Sequence, residues 1–81
     1  IRSSVEPHAT GGEVLYTISC ELEVLHIISG RLTLVLVGRE EELHAGDTLT
    51  FPGHTPHTWR TGDEGAELLW TLVPAAWSGS A

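Results

Sequence analysis

Residues 22–37 read LEVLHIISGRLTLVLV, two runs of aliphatic and β-branched side chains broken by Gly30 and closed by Gly38. Such side chains suit a pleated surface. Neither here nor elsewhere does an apolar residue recur at i, i+3, i+4 and i+7 over a helical length. Glu23, Leu25 and Ile27 share one face of the first run, and Val24, His26 and Ile28 take the other. His26 should therefore point away from whatever surrounds Glu23. In the second run Leu32, Leu34 and Leu36 oppose Val35 and Val37, so this strand is expected to be covered on both faces, the second cover being a subunit. Shorter runs at 41–44, 47–51, 57–60 and 67–73 are separated by Gly38-Arg39, Ala45-Gly46-Asp47, Pro52-Gly53 and Thr61-Gly62-Asp63, all with turn chemistry. Short strands between tight turns predict an all-β antiparallel sandwich or barrel.

Size and charge restrict what such a barrel can meet. At 81 residues the chain is one domain, and a domain this small buries only roughly 60% of its unfolded surface, which favours oligomerisation or a metal. The single cysteine, Cys20, excludes a disulfide within the chain and suits a reducing cytoplasm, where we expect the protein. Four Arg and no Lys against eleven acidic residues give a net charge of −7, which repels a phosphate backbone, so no direct nucleic-acid contact is expected. No apolar stretch approaches the ~20 residues that span a bilayer, and no membrane partner is expected. The sequence starts at Ile1 and contains no methionine, so a processed product, a fragment or a domain of a longer chain is expected. Residues 1–12 are read as a polar leader, either the end of a linker or a first strand, 13–74 as the barrel, and 75–81 as a flexible tail.

The ordered spacings carry a family resemblance. Glu23 followed by six residues and Gly30 resembles the end of the first cupin motif, and Gly46, five residues, Pro52 and then His57 resembles the second. Gly30, Gly38 and Gly46 stand eight apart, the short spacing of small bacterial cupins. The similarity runs over residues 13–74 and implies a cupin-type double-stranded β-barrel, or jelly roll; the doubly apolar strand 31–37, in a chain too short to cover it alone, adds the expectation of a homodimer formed through an apolar outer sheet that includes Val24, His26 and Ile28. The stretch GDEGAELLWTLVP further resembles the last strands of the C-terminal cupin module of bacterial XRE-type regulators, which carry a helix-turn-helix ahead of it.

For chemistry the resemblance implies a metal held by two histidines in an HxH arrangement, a glutamate and a later histidine. Glu23 and His57 match the last two, while the HxH positions fall near Thr17 and Ser19 in YTISCELE; the family's asparagine four places after the histidine is replaced by Thr61. Two donors are too few for a closed site, since hydroxyls bind transition metals poorly. No firmly bound cofactor is expected, and a weakly held Zn, Ni, Fe or Mn at Glu23 and His57 is the residual metal reading. Cys20 could join Glu23 if a bulge within 17–21 turned its thiolate inward. His44, just before the Ala45-Gly46-Asp47 turn, should be exposed.

Two histidines of PGHTPH receive different readings. His54 stands where the family usually has glycine, and is expected at the rim in a backbone region of positive φ that histidine tolerates better than most residues. His57 alternates with Trp59, placing imidazole and indole together inside the barrel, where the imidazole needs a partner and Glu23 is the natural one. The expected ligand pocket is Glu23, His57, Trp59, Thr17, Ser19 and Trp70; core volume is the plainer role for the tryptophans. Glu40, Glu41 and Glu42 read as a solvated edge. No catalytic residue is assigned. The functional reading is a small-molecule-binding cupin module, the ligand-sensing and dimerisation domain of a bacterial transcriptional regulator. The alternative is a stand-alone metal-dependent cupin enzyme, isomerase or dioxygenase, using Glu23 and His57.

Overall fold

The computed structural model describes residues 1–73. It contains β1 (Arg2–Val5), β2 (Leu22–Leu36), β3 (Arg39–His44), β4 (Thr48–Pro52), β5 (His57–Arg60) and β6 (Ala66–Val73). No helix occurs among the described residues, so none is long and apolar enough to cross a membrane. The tail assigned to 75–81, with Trp77, lies outside the described residues.

The two runs of 22–37 form one strand rather than two. The first half of β2 lies between β4 and β6, and β6 carries β1 on its far side, giving the sheet order β4-β2-β6-β1. The second half lies between β3 and β5 in a second sheet. Every pairing is antiparallel. The crossing from one sheet to the other needs a sharp change of direction, supplied by a register shift between Ile27 and Ser29 and by Gly30 at φ 80°. A Cβ on Gly30 would strike the Gly65 carbonyl oxygen and lie 2.9 Å from the Ala66 Cα.

Both halves of β2 aim apolar side chains into the space between the sheets. Leu25 and Ile27 come from the first half and Leu32, Leu34 and Leu36 from the second, closed over by Leu43, Phe51, Ala66 and Leu68. The alternation is as expected. Val35 is half-buried and Val37 is 68% exposed, so within one chain only the leucine face of strand 31–36 is covered.

Residues of the polar leader are tied down. β1 pairs with β6, and Thr61, whose side chain is buried, donates through Oγ1 to the Glu6 carbonyl at 2.6 Å and accepts from the Ala9 amide at 2.9 Å. The His8 amide donates to the Gly62 carbonyl and the Gly11 amide to that of Trp59, both at 2.9 Å. His8, not His54, is the non-glycine residue that adopts positive φ among the described residues, at 57°. The expectation for His54 thus fails in its backbone detail, although the side chain is exposed. Gly53 is explained by proximity instead: a Cβ there would collide with the Cys20 carbonyl and come within 2.5 Å of its sulfur.

Gly30→Ala should therefore destabilise the barrel by about 2 kcal/mol or more, combining the strain of positive φ with a backbone collision. Gly38→Ala, at the same φ of 80° but with nothing within 4 Å of the new carbon, should cost only about 1 kcal/mol. Urea unfolding midpoints of the two variants give the comparison, and equal losses would contradict the role assigned to the crossing.

Candidate functional site

Glu23 reaches the interior because it shares a face of β2 with Leu25 and Ile27, and its register sets it opposite Phe51 on β4 and Leu72 on β6. His57 opens β5 directly after Pro56, opposite Leu36 on β2, and exchanges two backbone hydrogen bonds with Tyr16 at 2.8 and 2.9 Å. Glu23 and His57 are both fully buried. Their nearest polar atoms, His57 Nε2 and Glu23 Oε1, are 3.5 Å apart, beyond the 2.7–3.2 Å of an N–H···O hydrogen bond.

The orientation of the imidazole follows from its other nitrogen. Nδ1 lies 2.8 Å from the Thr55 carbonyl oxygen, which can only accept, so Nδ1 carries a proton and Nε2 is the atom turned toward Glu23. Nε2 and both carboxylate oxygens of Glu23 are buried without a hydrogen-bond partner. The surrounding wall is aromatic: the imidazole centroid lies 4.6 Å from that of Tyr16, 4.9 Å from Phe51, which meets it edge-on, and 6.3 Å from Trp70.

Burial dominates the electrostatics. It pushes the Glu23 carboxyl above its ordinary value, with His57 opposing the shift. Burial also raises the Cys20 thiol, and the nearby Glu23 charge adds to the effect. The Tyr16 hydroxyl is raised by burial first and by Glu23 as well, against an opposing hydrogen bond with Trp59. Three groups around one point thus disfavour carrying negative charge together.

The structure brings together only part of the expected pocket. Trp70 is half-buried and backs the imidazole, and Trp59 is half-buried and packs against the core, its ring so close over Gly11 that a Cβ there would meet Nε1 at 2.5 Å. Thr17 and Ser19, expected inside, are exposed. The bridge between Tyr16 and His57 fixes the parity of this segment, so that Tyr16, Ile18 and Cys20 are the half-buried positions and the two hydroxyls fall between them. Tyr16 and Phe51 were not expected at the site. The strand alternation of 47–51 and one residue's shift in YTISCELE are the signals that would have found them. His26 turns outward, as expected, with Nδ1 2.7 Å from Thr48 Oγ1, and His44 is exposed. Glu40 and Glu41 pair with Arg60 and Arg39, and Glu42 is exposed beside His44.

Two surface cavities lie elsewhere. One, of about 110 Å³, is bordered by Arg31, Arg60 and Glu64, and another, of about 300 Å³, by Thr10, Val35, Thr58 and the flank of Trp59. Neither includes Glu23 or His57 in its lining. A metal is chemically conceivable at the buried pair, because a carboxylate and a bare imidazole nitrogen are both donors. The remaining neighbours are aromatic, however, and no group of three or more His, Cys, Asp or Glu placed to hold an ion occurs among the described residues. This donor set does not fit a tightly held transition metal, which takes at least three protein ligands.

A family profile described as a cupin domain matches residues 2–72. Among solved structures, the chain is similar to a Cupin 2 conserved barrel domain protein from Salinispora arenicola, with 28% identity and a TM-score of 0.78 over 93% of this chain and 61% of that one. It is also similar to a protein of unknown function from Rhizobium leguminosarum bv. viciae, at 20% identity and TM-score 0.77 over 90% and 66%. A predicted oxalate decarboxylase from Thermotoga maritima matches at 22% identity and TM-score 0.77 over 90% and 63%. The last two likenesses establish the fold alone. The chain spans just under two thirds of the length of each of these three structures. No curated protein matches it.

The raised Glu23 carboxyl has a definite sign in stability. Between the ordinary value of about 4.5 and the higher folded one, the folded chain binds more protons than the unfolded chain, so this group's contribution declines as pH rises. Glu23→Gln removes it. The variant should gain stability relative to the parent on going from about pH 4 to about pH 8, read as the difference between their thermal midpoints. A difference independent of pH would contradict the burial assigned to Glu23.

Proposed function

This chain belongs to the cupin family, and from that premise we propose that it is a small-molecule-binding module whose polar anchor is the Glu23–His57 pair. The observation that carries the reading is the convergence of three buried polar atoms with no hydrogen-bond partner. An unsatisfied buried group costs about 1–3 kcal/mol, which a ligand bearing N–H or O–H donors would offset by bonding to the carboxylate and to Nε2. The aromatic wall of Tyr16, Phe51 and Trp70 supplies apolar contact, so the favoured ligand is a small organic molecule with one polar end. Thr17 and Ser19 have no part in this pocket; Trp59 borders it through Tyr16. A ligand would have to displace the segment between β1 and β2, which joins the barrel by the isolated bridges Thr10–Arg60 and Tyr16–His57 rather than by a strand. Lifting Tyr16 would uncover the imidazole.

At the level of the whole protein, the proposal is the ligand-sensing and dimerisation domain of a bacterial transcriptional regulator working in the cytoplasm. The likeness of residues 62–74 to the last strands of such modules supports it. DNA contact would fall to another part of the protein, given the −7 charge of this chain. A second reading, a metal-dependent isomerase or dioxygenase, draws on one observation: Nε2 and the Glu23 carboxylate face each other at 3.5 Å with no other partner. Elemental analysis of protein purified without chelators separates the readings. Substoichiometric metal is expected, and a full equivalent of Zn, Ni, Fe or Mn lost on Glu23→Gln would favour the enzyme.

Thermal-shift screening against small carboxylic acids, amines and alcohols should identify a stabilising ligand. His57→Gln should then weaken binding at least about tenfold in calorimetry while costing the fold about 1 kcal/mol. His54→Gln, at an exposed position, should leave affinity unchanged. Equal losses from the two variants would remove the pair from the binding role.

A further inference from the structure

The three buried atoms that Glu23 and His57 leave without a partner are all acceptors. With its proton on Nδ1, donated to the Thr55 carbonyl, His57 offers only a lone pair at Nε2. A proton on the Glu23 carboxyl would not satisfy that lone pair, because Oε1 stands 3.5 Å from Nε2, too far for an O–H···N bond. Whatever completes this site must therefore bring hydrogen-bond donors. The chain itself has no cation to offer there: it has no lysine, and its four arginines are exposed and paired with Glu67, Glu64, Glu41 and Glu40.

We propose that the Glu23–His57 pair takes a primary amine, bound as its ammonium ion. The proposal rests on the binding reading above and narrows it to one chemical class. An R–NH3⁺ head carries three N–H donors and no acceptor, which matches Nε2, Oε1 and Oε2 atom for atom. One nitrogen can stand about 2.9 Å from both Nε2 and Oε1, since these are only 3.5 Å apart. Other small polar groups match less well. A carboxylate brings acceptors alone and a second negative charge, an alcohol brings one donor for three acceptors, and a guanidinium would bury five N–H groups against three.

Charge points the same way. Taking an ammonium out of water is costly unless a counter-charge and full hydrogen bonding meet it, and the Glu23 carboxylate supplies that counter-charge. Tyr16, Phe51 and Trp70 surround the imidazole with rings whose faces attract cations. The net charge of −7 draws cations toward the chain from a distance. Tyr16, Ile18 and Cys20, the half-buried side chains of the covering segment at 16–20, give the carbon tail of the amine an apolar way out.

The test uses the full chain in phosphate buffer with EDTA, which keeps metal ions from mediating amine binding. Primary alkylammonium ions from methyl to hexyl are compared by calorimetry at neutral pH with carboxylates and alcohols of matched carbon number. At least one ammonium ion should bind and raise the thermal midpoint, and its carboxylate and alcohol counterparts should not. Trimethylation of the same nitrogen, which keeps the charge and removes every N–H, should abolish binding. Glu23→Gln should raise the dissociation constant at least about tenfold. Glu42→Gln, which removes the same charge from an exposed position, should leave it unchanged, with circular dichroism confirming that both variants fold. Equal losses in the two variants, or binding that survives trimethylation, would overturn the proposal by reducing the effect to attraction toward an acidic surface. Binding of a carboxylate or an alcohol that is lost on His57→Gln would overturn the amine class and spare the pair as the binding site. Silence across all three series would overturn both.

Discussion

Every strand of the barrel except β1 takes its register from β2. The first half of this strand pairs with β4 and β6 and the second with β3 and β5, and β1 is placed through β6. Side-chain parity is therefore set once, on the two sides of Gly30, and copied outward. Because a strand has a side-chain period of two, a slip of one residue would turn Glu23, Leu25 and Ile27 to solvent and bring Val24, His26 and Ile28 inside. The geometry of the buried pair is thus a by-product of the same constraint that builds the core.

A carboxyl and an imidazole at zero exposure, with three polar atoms unpaired, work against the stability of a domain this small. Buried polar groups in folded proteins are normally hydrogen-bonded, and Thr61 and Thr58 here obey that rule: Thr61 Oγ1 bonds to Glu6 and Ala9, and Thr58 Oγ1 donates to the Gly12 carbonyl at 3.0 Å. Among the described residues the exception is confined to Glu23 and His57. Local departures of this kind in an otherwise consistent fold tend to mark function.

What could be read from the sequence depended on whether a residue lies in a strand. Alternation placed Glu23 and His57 inside and His26 outside, because each belongs to β2 or β5, where parity can be counted. The same counting failed at Thr17 and Ser19. Residues 6–21 carry only isolated bridges, so no strand transmits parity from Glu23 back to them, and the Tyr16–His57 bridge sets it independently. The continuity of β2 through Gly30 was hidden as well, since a glycine between apolar runs looks like a turn and only the approach of Gly65 shows that it is a bend within one strand. In β1, Arg-Ser-Ser-Val offers one apolar residue. Its strand conformation comes from the free edge of β6 rather than from its own preferences.

That last pairing joins the two ends of the described chain. Arg2 lies opposite Leu69 and Val5 opposite Ala66, with nearly the whole domain between them in sequence. Pairings between distant residues close large loops and slow folding. On a ribosome, β1 must wait for β6, and until Ala66–Val73 emerges the first half of β2 lacks one of its two neighbours. Its hydrogen-bonding edge stays open for that whole interval, and an open strand edge is a template on which another chain can pair.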